Sequence, residues 1–286
     1  MTLDYHTLEN EKQKTIHQCF KDSFSDYIVK FEFPFSKYRY HLQRYGVDLS
    51  CSVGAFDGDK LIGFILNATG NWLGKPTVYD AGTGMLKEYR GKGHSKNMFK
   101  ALVEEVLGDR FDQYLLEVIK GNDPAHQLYL KQGFTVQREL ACFKQEREKL
   151  KLEDSVPSGL KVGELKSEDW DQLSGFWDFQ PSWQNHNVAI DRVPSFWTLG
   201  AWQNRKLVGY LIFEPRYGDI GQLGVAKTAR GKGIGSALLA KAVENCPRAK
   251  EIKALNIQSN QKETLAFFRA KGFDSYVDQY EMLLEL

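Results

Sequence analysis

The chain has 286 residues, 42% of them hydrophobic and 26% charged, and this length fits one large domain or two ordinary ones. The composition is typical of a globular protein and excludes a disordered, collagen-like or polar solenoid chain. Lys and Arg number 38 and Asp and Glu number 37, so the net charge of +1 favours neither nucleic acid nor an anionic membrane as a partner.

The first half of the sequence predicts a mixed α/β order of elements. Its apolar patterns predict strands at 49–55, 61–68, 76–86 and 113–119, and helical spacing predicts a helix at 93–107. The first two strands are joined by an Asp-Gly sequence, which is a turn signal for a hairpin. Asn122 is placed to cap a following helix, and Gly133 suits the left-handed residue that ends it.

The second half repeats this order. Strands are predicted at 196–203, 207–214, 219–226 and 251–258, with a helix at 233–245. Asn260 and Glu263 have the spacing of a capping pair before a last helix, which ends at Gly272.

Three segments of the first half recur in the second. Lys60-Leu-Ile-Gly matches Lys206-Leu-Val-Gly, Arg90-Gly-Lys-Gly matches Arg230-Gly-Lys-Gly, and Gly133-Phe134 matches Gly272-Phe273. The offsets of 146, 140 and 139 residues are too long for a solenoid unit and predict a duplicated domain. The charged stretch 146–159 ends in Pro, Ser and Gly and reads as a linker, so we predict domains at 1–150 and 156–286.

Four cysteines, Cys19, Cys51, Cys142 and Cys246, lie far apart and have neither CxxC nor zinc-ligand spacing. This usage predicts reduced thiols in a cytoplasmic protein without a metal. The N-terminal residues lack the pattern of a signal peptide, and no apolar run approaches the ~18 residues that a membrane span needs. We therefore expect a soluble protein.

In both halves a glycine-rich turn stands between a strand and a helix, at 87–95 and 227–235. Such a turn presents unpaired backbone N–H groups, and with a flanking Arg and Lys these make a cradle for a pyrophosphate. Glycine also allows the phosphate to approach closely. A plain structural turn is the alternative for one loop, but two copies at matching positions favour anion binding. The sequence has no Walker loop, dinucleotide fingerprint or G-x-S-x-G motif.

The order of these features resembles the GNAT superfamily of acyl-CoA-dependent N-acetyltransferases, whose R-x-x-G-x-[GA] loop both halves carry. The resemblance spans nearly the whole chain except the opening segment of each half, and it implies two such domains in tandem, each with a mixed α+β sheet. It also implies acetyl-CoA as co-substrate, with the pantetheine along splayed strands. Ser95 departs slightly from the motif. The residues that the resemblance implies in CoA binding are Met85, Leu86, Arg90, Gly91, Lys92, Gly93, His94, Ser95, Lys96, Asn122, Val225, Arg230, Gly231, Lys232, Gly233, Ile234, Gly235 and Ser236.

Candidate acid–base residues separate the two halves. Acetyl transfer to an amine needs a base for the ammonium proton and an acid for the departing thiolate. Glu117 on a strand and Tyr129 twelve residues later resemble the pair of GNAT enzymes that acetylate N-terminal amines, in which the Glu is the base and the Tyr the acid. The aligned Asn256 and Phe268 exchange no proton at neutral pH. We therefore hypothesise that the first domain catalyses, while the second keeps only its CoA-type loop.

Structural roles are the alternative for the same residues. Tyr129 suits a core-facing helix position, Glu117 suits a structural hydrogen bond, and Asn122 is first of all a helix cap. His94 and Lys92 fit solvated loop positions.

The expected acceptor is a primary amine of a small molecule or peptide, recognised by the segment before the hairpin, where the halves differ. In the first half, aromatic residues are interleaved there with Asp26 and Glu32, which suits a cationic amine or an ordinary aromatic core. We expect a monomer or homodimer without nucleic acid. A non-catalytic acyl-CoA-binding or sensing protein, and a scaffold in which the second domain only shields the first, remain alternatives.

Overall fold

The chain folds into two α/β units, each built on its own set of strands. A computed structural model describes residues 3–27, 29, 33–152, 157–166 and 169–286. Unit 1 consists of residues 1–137 and 280–286, and unit 2 of residues 138–279.

Unit 1 follows the predicted order and adds a strand and two helices before the hairpin. Its strands pair in the order β1-β2-β3-β4-β5, and the end of the last strand of the chain, β12, follows β5. The elements are β1 (Asp4–Thr7), α1 (Gln13–Ser23), α2 (Phe35–Tyr45), β2 (Val53–Asp57), β3 (Lys60–Trp72), β4 (Lys75–Met85), α3 (His94–Ala101), β5 (Gln113–Ile119), α4 (Asp123–Lys131) and β12 (Asp274–Glu285).

The predicted hairpin is present, with Asp57 opposite Lys60 and Gly58 at a φ of 58° in the turn. Strand β3 is almost continuously buried, as expected for a strand that is covered on both faces. The helix predicted at 93–107 is α-helical only to Ala101, and residues 102–107 form a π-helical segment. Leu102 and Leu107 are both buried, and a π turn, with its i→i+5 spacing, keeps both on the core side.

Unit 2 repeats this arrangement with the strand order β6-β11-β10-β9-β8-β7. Its core joins strands β8–β11 to helices α7 and α8 through residues such as Leu211, Leu238 and Phe268. The elements are β6 (Thr135–Glu146), β7 (Leu160–Glu164), α5 (Trp170–Ser174), α6 (Asn187–Asp191), β8 (Trp197–Gln203), β9 (Lys206–Glu214), β10 (Asp219–Val225), α7 (Ile234–Glu244), β11 (Glu251–Gln258) and α8 (Lys262–Ala270).

Helix α8 does not have the predicted capping pair. Its N-cap is Gln261, which makes no side-chain cap bond, and the amide oxygen of Asn260 accepts from Gln261 Nε2 at 3.1 Å. By contrast, Asn122 Oδ1 accepts from the Ala125 N–H at 3.4 Å and caps α4 as predicted.

The units are not two consecutive stretches of chain. Residues 138–146 of β6 belong to unit 2, whereas residues 280–285 of β12 belong to unit 1. Compared with the predicted division at 1–150 and 156–286, residues 138–150 therefore belong to unit 2 and residues 280–286 to unit 1. Residues 153–156 of the predicted linker lie outside the described residues.

Candidate active site

In both units two parallel strands pair at one end and separate at the other. In unit 1 the described pairing of β4 with β5 runs from Thr77–Gln113 to Tyr79–Leu115, and β4 then continues to Met85. In unit 2, β10 pairs with β11 at Asp219–Lys253 and Ile220–Ala254, and β10 continues to Val225. Each unit thus opens a wedge between its strands at the ends that precede the glycine-rich loops.

The glycine-rich loop of unit 1 joins the end of β4 to the start of α3. Gly91 and Gly93 have φ angles of 72° and 83°, a region that side chains other than glycine adopt only with strain. A Cβ at either position would meet no atom within 4 Å, so the backbone conformation requires glycine here and crowding within the protein does not. The first helical bond runs from Asn97 N–H to the Gly93 carbonyl, which leaves the preceding N–H groups at a helix N-terminus suited to an anion.

Arg90 anchors this loop to the rest of the unit. Its Nε donates to the Met85 carbonyl at 2.9 Å, and its Nη2 donates to the Ser23 carbonyl at 2.6 Å. The guanidinium also forms a two-pronged pair with Asp26, at 3.0 and 2.9 Å. The bond from Arg90 lowers the pKa of Asp26 below its usual range. Because these contacts use most of the donors of Arg90, the backbone of the loop makes the cradle and the arginine holds it in place.

Unit 2 has the same anchor. Arg230 Nε donates to the Val225 carbonyl at 3.1 Å, and Nη2 pairs with Asp178 at 2.9 Å. The two lysines of the loops also behave alike. Lys92 Nζ donates to the Glu88 carbonyl at 2.7 Å, and Lys232 Nζ donates to the Thr228 carbonyl at 3.1 Å.

A cleft of about 860 Å³ in unit 1 runs from the glycine-rich loop to the start of α4 and to Tyr129. This volume is within the range of small-molecule and cofactor sites. Of the predicted CoA residues in unit 1, the cleft is lined by Met85, Arg90, Gly91, Gly93, His94, Ser95, Lys96 and Asn122. Leu86 is buried and Lys92 is exposed, and neither lines the cleft.

Tyr129 lines this cleft, and its hydroxyl donates to Asp80 Oδ2 at 3.1 Å. Burial, reinforced by the Asp80 charge, raises the pKa of Tyr129 well above 10. The Asp80 carboxylate also accepts from Thr83 Oγ1 at 2.7 Å and from the Gly82 N–H at 2.8 Å. Burial nevertheless raises the pKa of Asp80.

Glu117 does not line the cleft. Its carboxylate accepts a hydrogen bond from the hydroxyl of Tyr79, a buried residue of β4. Burial and the Glu117 charge raise the pKa of Tyr79. Tyr79 and Asp80 are consecutive on β4, so their side chains point to opposite faces of the sheet. Glu117, the predicted base, therefore contacts Tyr79 on one face of β4, and Tyr129, the predicted acid, contacts Asp80 on the other face.

The corresponding positions of unit 2 carry no such pair. Asn256 is buried in β11 with a φ of 62°, and its side chain bonds Ser182 and Gln279. Phe268 is buried against Phe143. Asn256 and Phe268 line a cavity of only about 70 Å³.

The glycine-rich loop of unit 2 is also more crowded than its counterpart. A Cβ on Gly233 would lie 3.2 Å from Pro157, and one on Gly235 would lie 3.3 Å from Phe267. Gly231 has open space around it, as its counterpart Gly91 does, so the two loops differ at Gly233, which lies against Pro157 while Gly93 of unit 1 is open.

The segment expected to recognise the acceptor is described in part. Asp26 lines the cleft but is paired with Arg90, so it is engaged with the loop. Glu32 lies outside the described residues. Tyr27, next to Asp26, lines the cleft and its hydroxyl accepts from Asn122 Nδ2 at 3.3 Å.

Sequence reasoning missed Asp80, Thr83 and Tyr79 as site residues. All three lie within five residues of β4 and form no recognisable motif. Only the pairing of β4 with its neighbouring strands places them at the site. The sequence also did not identify Asp178 of unit 2 as part of the loop's anchor, because only its ion pair with Arg230 shows this role.

Outside the cleft, three further features bear on the expectations from the sequence. The four cysteines are buried and form no disulfide bond, and burial raises the pKa of Cys19 and of Cys246 to about 12. Across the described part of the chain, no group of three or more His, Cys, Asp and Glu side chains is arranged to hold a metal. No helix within the described ranges is long and apolar enough to cross a membrane.

Separated parallel strands lead into a glycine-rich loop at a helix N-terminus in both units. This repeated arrangement is the fold of two acetyltransferase-type domains in tandem. The sequence matches the Acetyltransferase (GNAT) family at residues 15–134 and again at 162–273, and the chain belongs to that family. This confirms the predicted family and mixed α/β fold with two GNAT repeats.

Solved structures agree on the fold. A tandem GNAT protein from the clavulanic acid biosynthesis pathway is 14% identical, with a TM-score of 0.73 over 99% of this chain and 98% of that one. A GCN5-related N-acetyltransferase from Sphaerobacter thermophilus is 14% identical, with a TM-score of 0.75 over 99% and 95%. A putative acetyltransferase from Pyrococcus horikoshii is 18% identical, with a TM-score of 0.70 over 99% and 89%. No curated protein matches the sequence.

Proposed function

We propose that unit 1 transfers an acetyl group from acetyl-CoA to a primary amine of a small molecule or peptide. The observation that carries the proposal is the cleft of about 860 Å³ that joins the open glycine-rich loop to Tyr129. A diphosphate fits the N–H groups of residues 91–96, because they form a left-handed turn at a helix N-terminus with no side chain in the way. The wedge between β4 and β5 offers unpaired strand edges to the pantetheine amides.

In this proposal Glu117 takes the proton of the attacking ammonium, directly or through water. The amine nitrogen forms a bond to the thioester carbon, the carbon–sulfur bond breaks, and Tyr129 gives its proton to the departing thiolate. The bond from Tyr79 supports the carboxylate form of Glu117, since a donor favours the charged acceptor. The position of Tyr129 in the cleft wall supports its role as the acid.

The test is release of CoA thiol from acetyl-CoA in the presence of amines, peptides and aminoglycosides. Glu117→Gln and Tyr129→Phe should each lower kcat by about 10²- to 10⁴-fold with CoA affinity kept, because each removes one proton transfer. Tyr210→Phe is the matched control, since it deletes a buried tyrosine hydroxyl that bonds Gln222 in unit 2. Its kcat should equal that of the wild type.

Full activity of both unit 1 variants would overturn the assignment of the acid and base. A loss confined to Tyr210→Phe would move the chemistry to unit 2. CoA binding without thiol release for any amine would instead indicate a non-catalytic acyl-CoA-binding or sensing protein.

A further inference from the structure

The carboxylate of Asp80 accepts from the hydroxyl of Tyr129 and, unlike Tyr129, does not line the cleft. Besides Tyr129, its bonding partners are Thr83 Oγ1 and the Gly82 N–H. Asp80 borders a cavity of about 10 Å³, the size of roughly one water molecule, and it does not line the large cleft. An amine or an acyl group does not fit into so small a space. Among the residues that line both cavities (Thr83, Ser95, Leu128 and Tyr129), Thr83 and Tyr129 are the ones that bond Asp80, so they connect its carboxyl group to the cleft.

The proposed reaction requires Tyr129 to give a proton to the thiolate, and its bond to Asp80 affects how easily it does so. A thiol has an ordinary pKa near ~8.5, so a phenol with a pKa well above ~10 loses its proton to a thiolate only uphill. The hydroxyl also has one proton, which points at Asp80 when Asp80 is ionised and is then turned away from the cleft. An ionised Asp80 therefore opposes the role of Tyr129 as an acid.

We propose that Asp80 is a positioning and proton-supplying residue for Tyr129, an inference that rests on the proposed function of unit 1. In its acid form Asp80 donates to the phenol oxygen, which turns the phenol O–H toward the cleft. As that proton passes to the thiolate, the Asp80 proton passes to the phenol oxygen, and Asp80 becomes a carboxylate. Thr83, which bonds Asp80 and faces the cleft, is the route by which solvent returns the proton.

The surroundings of Asp80 favour its protonated form. Burial raises the pKa of Asp80 even though three donors stabilise its carboxylate. The titratable groups that interact with its charge are phenols from four elements: Tyr129 of α4, Tyr114 of β5, Tyr27 after α1 and Tyr79 of β4 itself. All four stay neutral near pH 7, because burial raises the pKa of each above 10.

The first test needs neither acyl-CoA nor an amine. In protein labelled with ¹³Cζ-tyrosine, the Tyr129 signal is the one that Tyr129→Phe removes. Its shift should follow the titration of Asp80 in the wild type and lose that step in Asp80→Asn. The same pH course in both proteins would overturn the coupling, and this result is independent of whether any amine is acylated.

The second test is the pH profile of kcat. In the wild type kcat should decline as Asp80 ionises, and Asp80→Asn should remove this decline, because its amide donates to the phenol oxygen at every pH. Thr83→Val should move the decline to higher pH, since it removes a donor that stabilises the carboxylate. Asp80→Ala should lose about 10- to 100-fold at every pH, because the carboxyl group that donates to the phenol oxygen and supplies its proton is gone.

Asp48→Asn is the matched control, because Asp48 is a hydrogen-bonded carboxylate of unit 1 that accepts from Ser50 and does not line the cleft. It should leave the profile unchanged. An active enzyme whose Asp80→Asn and Thr83→Val profiles match the wild type would overturn the role of Asp80 and leave the proposed function standing.

Discussion

Replacing Gly93 by alanine separates the loop's part in binding from its part in stability. Gly93 has a φ of 83° as the N-cap of α3, and a Cβ there meets no atom within 4 Å. The cost of Gly93→Ala is therefore conformational, about 1–2 kcal/mol for a non-glycine residue in the left-handed region. For a protein of this size that cost corresponds to a fall in Tm of about 2–3 °C.

The affinity of Gly93→Ala for CoA should also fall, and by more than its lower folding stability would cause. If the loop relaxes to relieve the strain, at least one N–H group turns away from the diphosphate, and one hydrogen bond to a charged group is worth about 1.5–3 kcal/mol. Kd for CoA, measured by calorimetric titration, should therefore rise about 10- to 100-fold.

Gly74→Ala supplies the matched control. Gly74 has a φ of 86° in the turn between β3 and β4, a Cβ there also meets no atom within 4 Å, and the residue does not line the cleft. This variant should show the same fall in Tm with an unchanged Kd. Equal Kd values for the two variants would refute the assignment of the diphosphate to the loop of unit 1.

Two further predictions follow from unit 2 and from His41. Native mass spectrometry should detect one CoA per chain at concentrations that saturate unit 1, because Pro157 lies against Gly233 and Phe267 against Gly235 of the second loop; two retained CoA molecules would refute this. Burial lowers the pKa of His41 to about 4, and its ring nitrogen Nε2 bonds the Ala81 carbonyl. His41 is thus neutral when folded, so the stability it contributes above pH ~6.5 is lost as the pH falls, by about 2 kcal/mol at pH 5. Denaturant unfolding between pH 7 and pH 5 should show this loss, and His41→Gln should reduce it; equal slopes for the two proteins would contradict the argument.

The repeated part of the fold was predictable because its signals are local. Apolar runs gave β11 its observed bounds at Glu251–Gln258, and Gly133 and Gly272 have the left-handed φ angles expected after their helices. Helices α1 and α2 begin without a side-chain cap, so they lack the signal that marks a helix start. The assignment of residues 138–150 to unit 2 and of residues 280–286 to unit 1 had no local signal either, because strand pairing across that distance depends on the whole fold.

The candidate site divides in the same way. The glycine-rich loops, the cap at Asn122 and the position of Tyr129 follow from motifs and spacing along the chain. Asp80 and Tyr79 do not, because their partners are set by the register of β4 against β5 and by the packing of α4. No short turn fixes the register of two parallel strands. The sequence alone therefore identifies Tyr129 and Glu117 but not their partners Asp80 and Tyr79.

Comparison of the two units indicates which features of the loop belong to the fold and which to the chemistry. Both keep an arginine that binds the end of its own strand and an aspartate from the preceding segment. Unit 2 has this anchor but carries Asn256 and Phe268 at the positions of Glu117 and Tyr129, the two residues that we propose exchange protons. Under that proposal the arginine loop alone does not identify a catalytic unit. What distinguishes unit 1 is the open cleft together with Tyr129 bonded to Asp80. If the proposal is correct, a carboxylate bonded to the tyrosine of the helix that corresponds to α4 should identify the active member of such a duplicated pair better than the glycine-rich loop does.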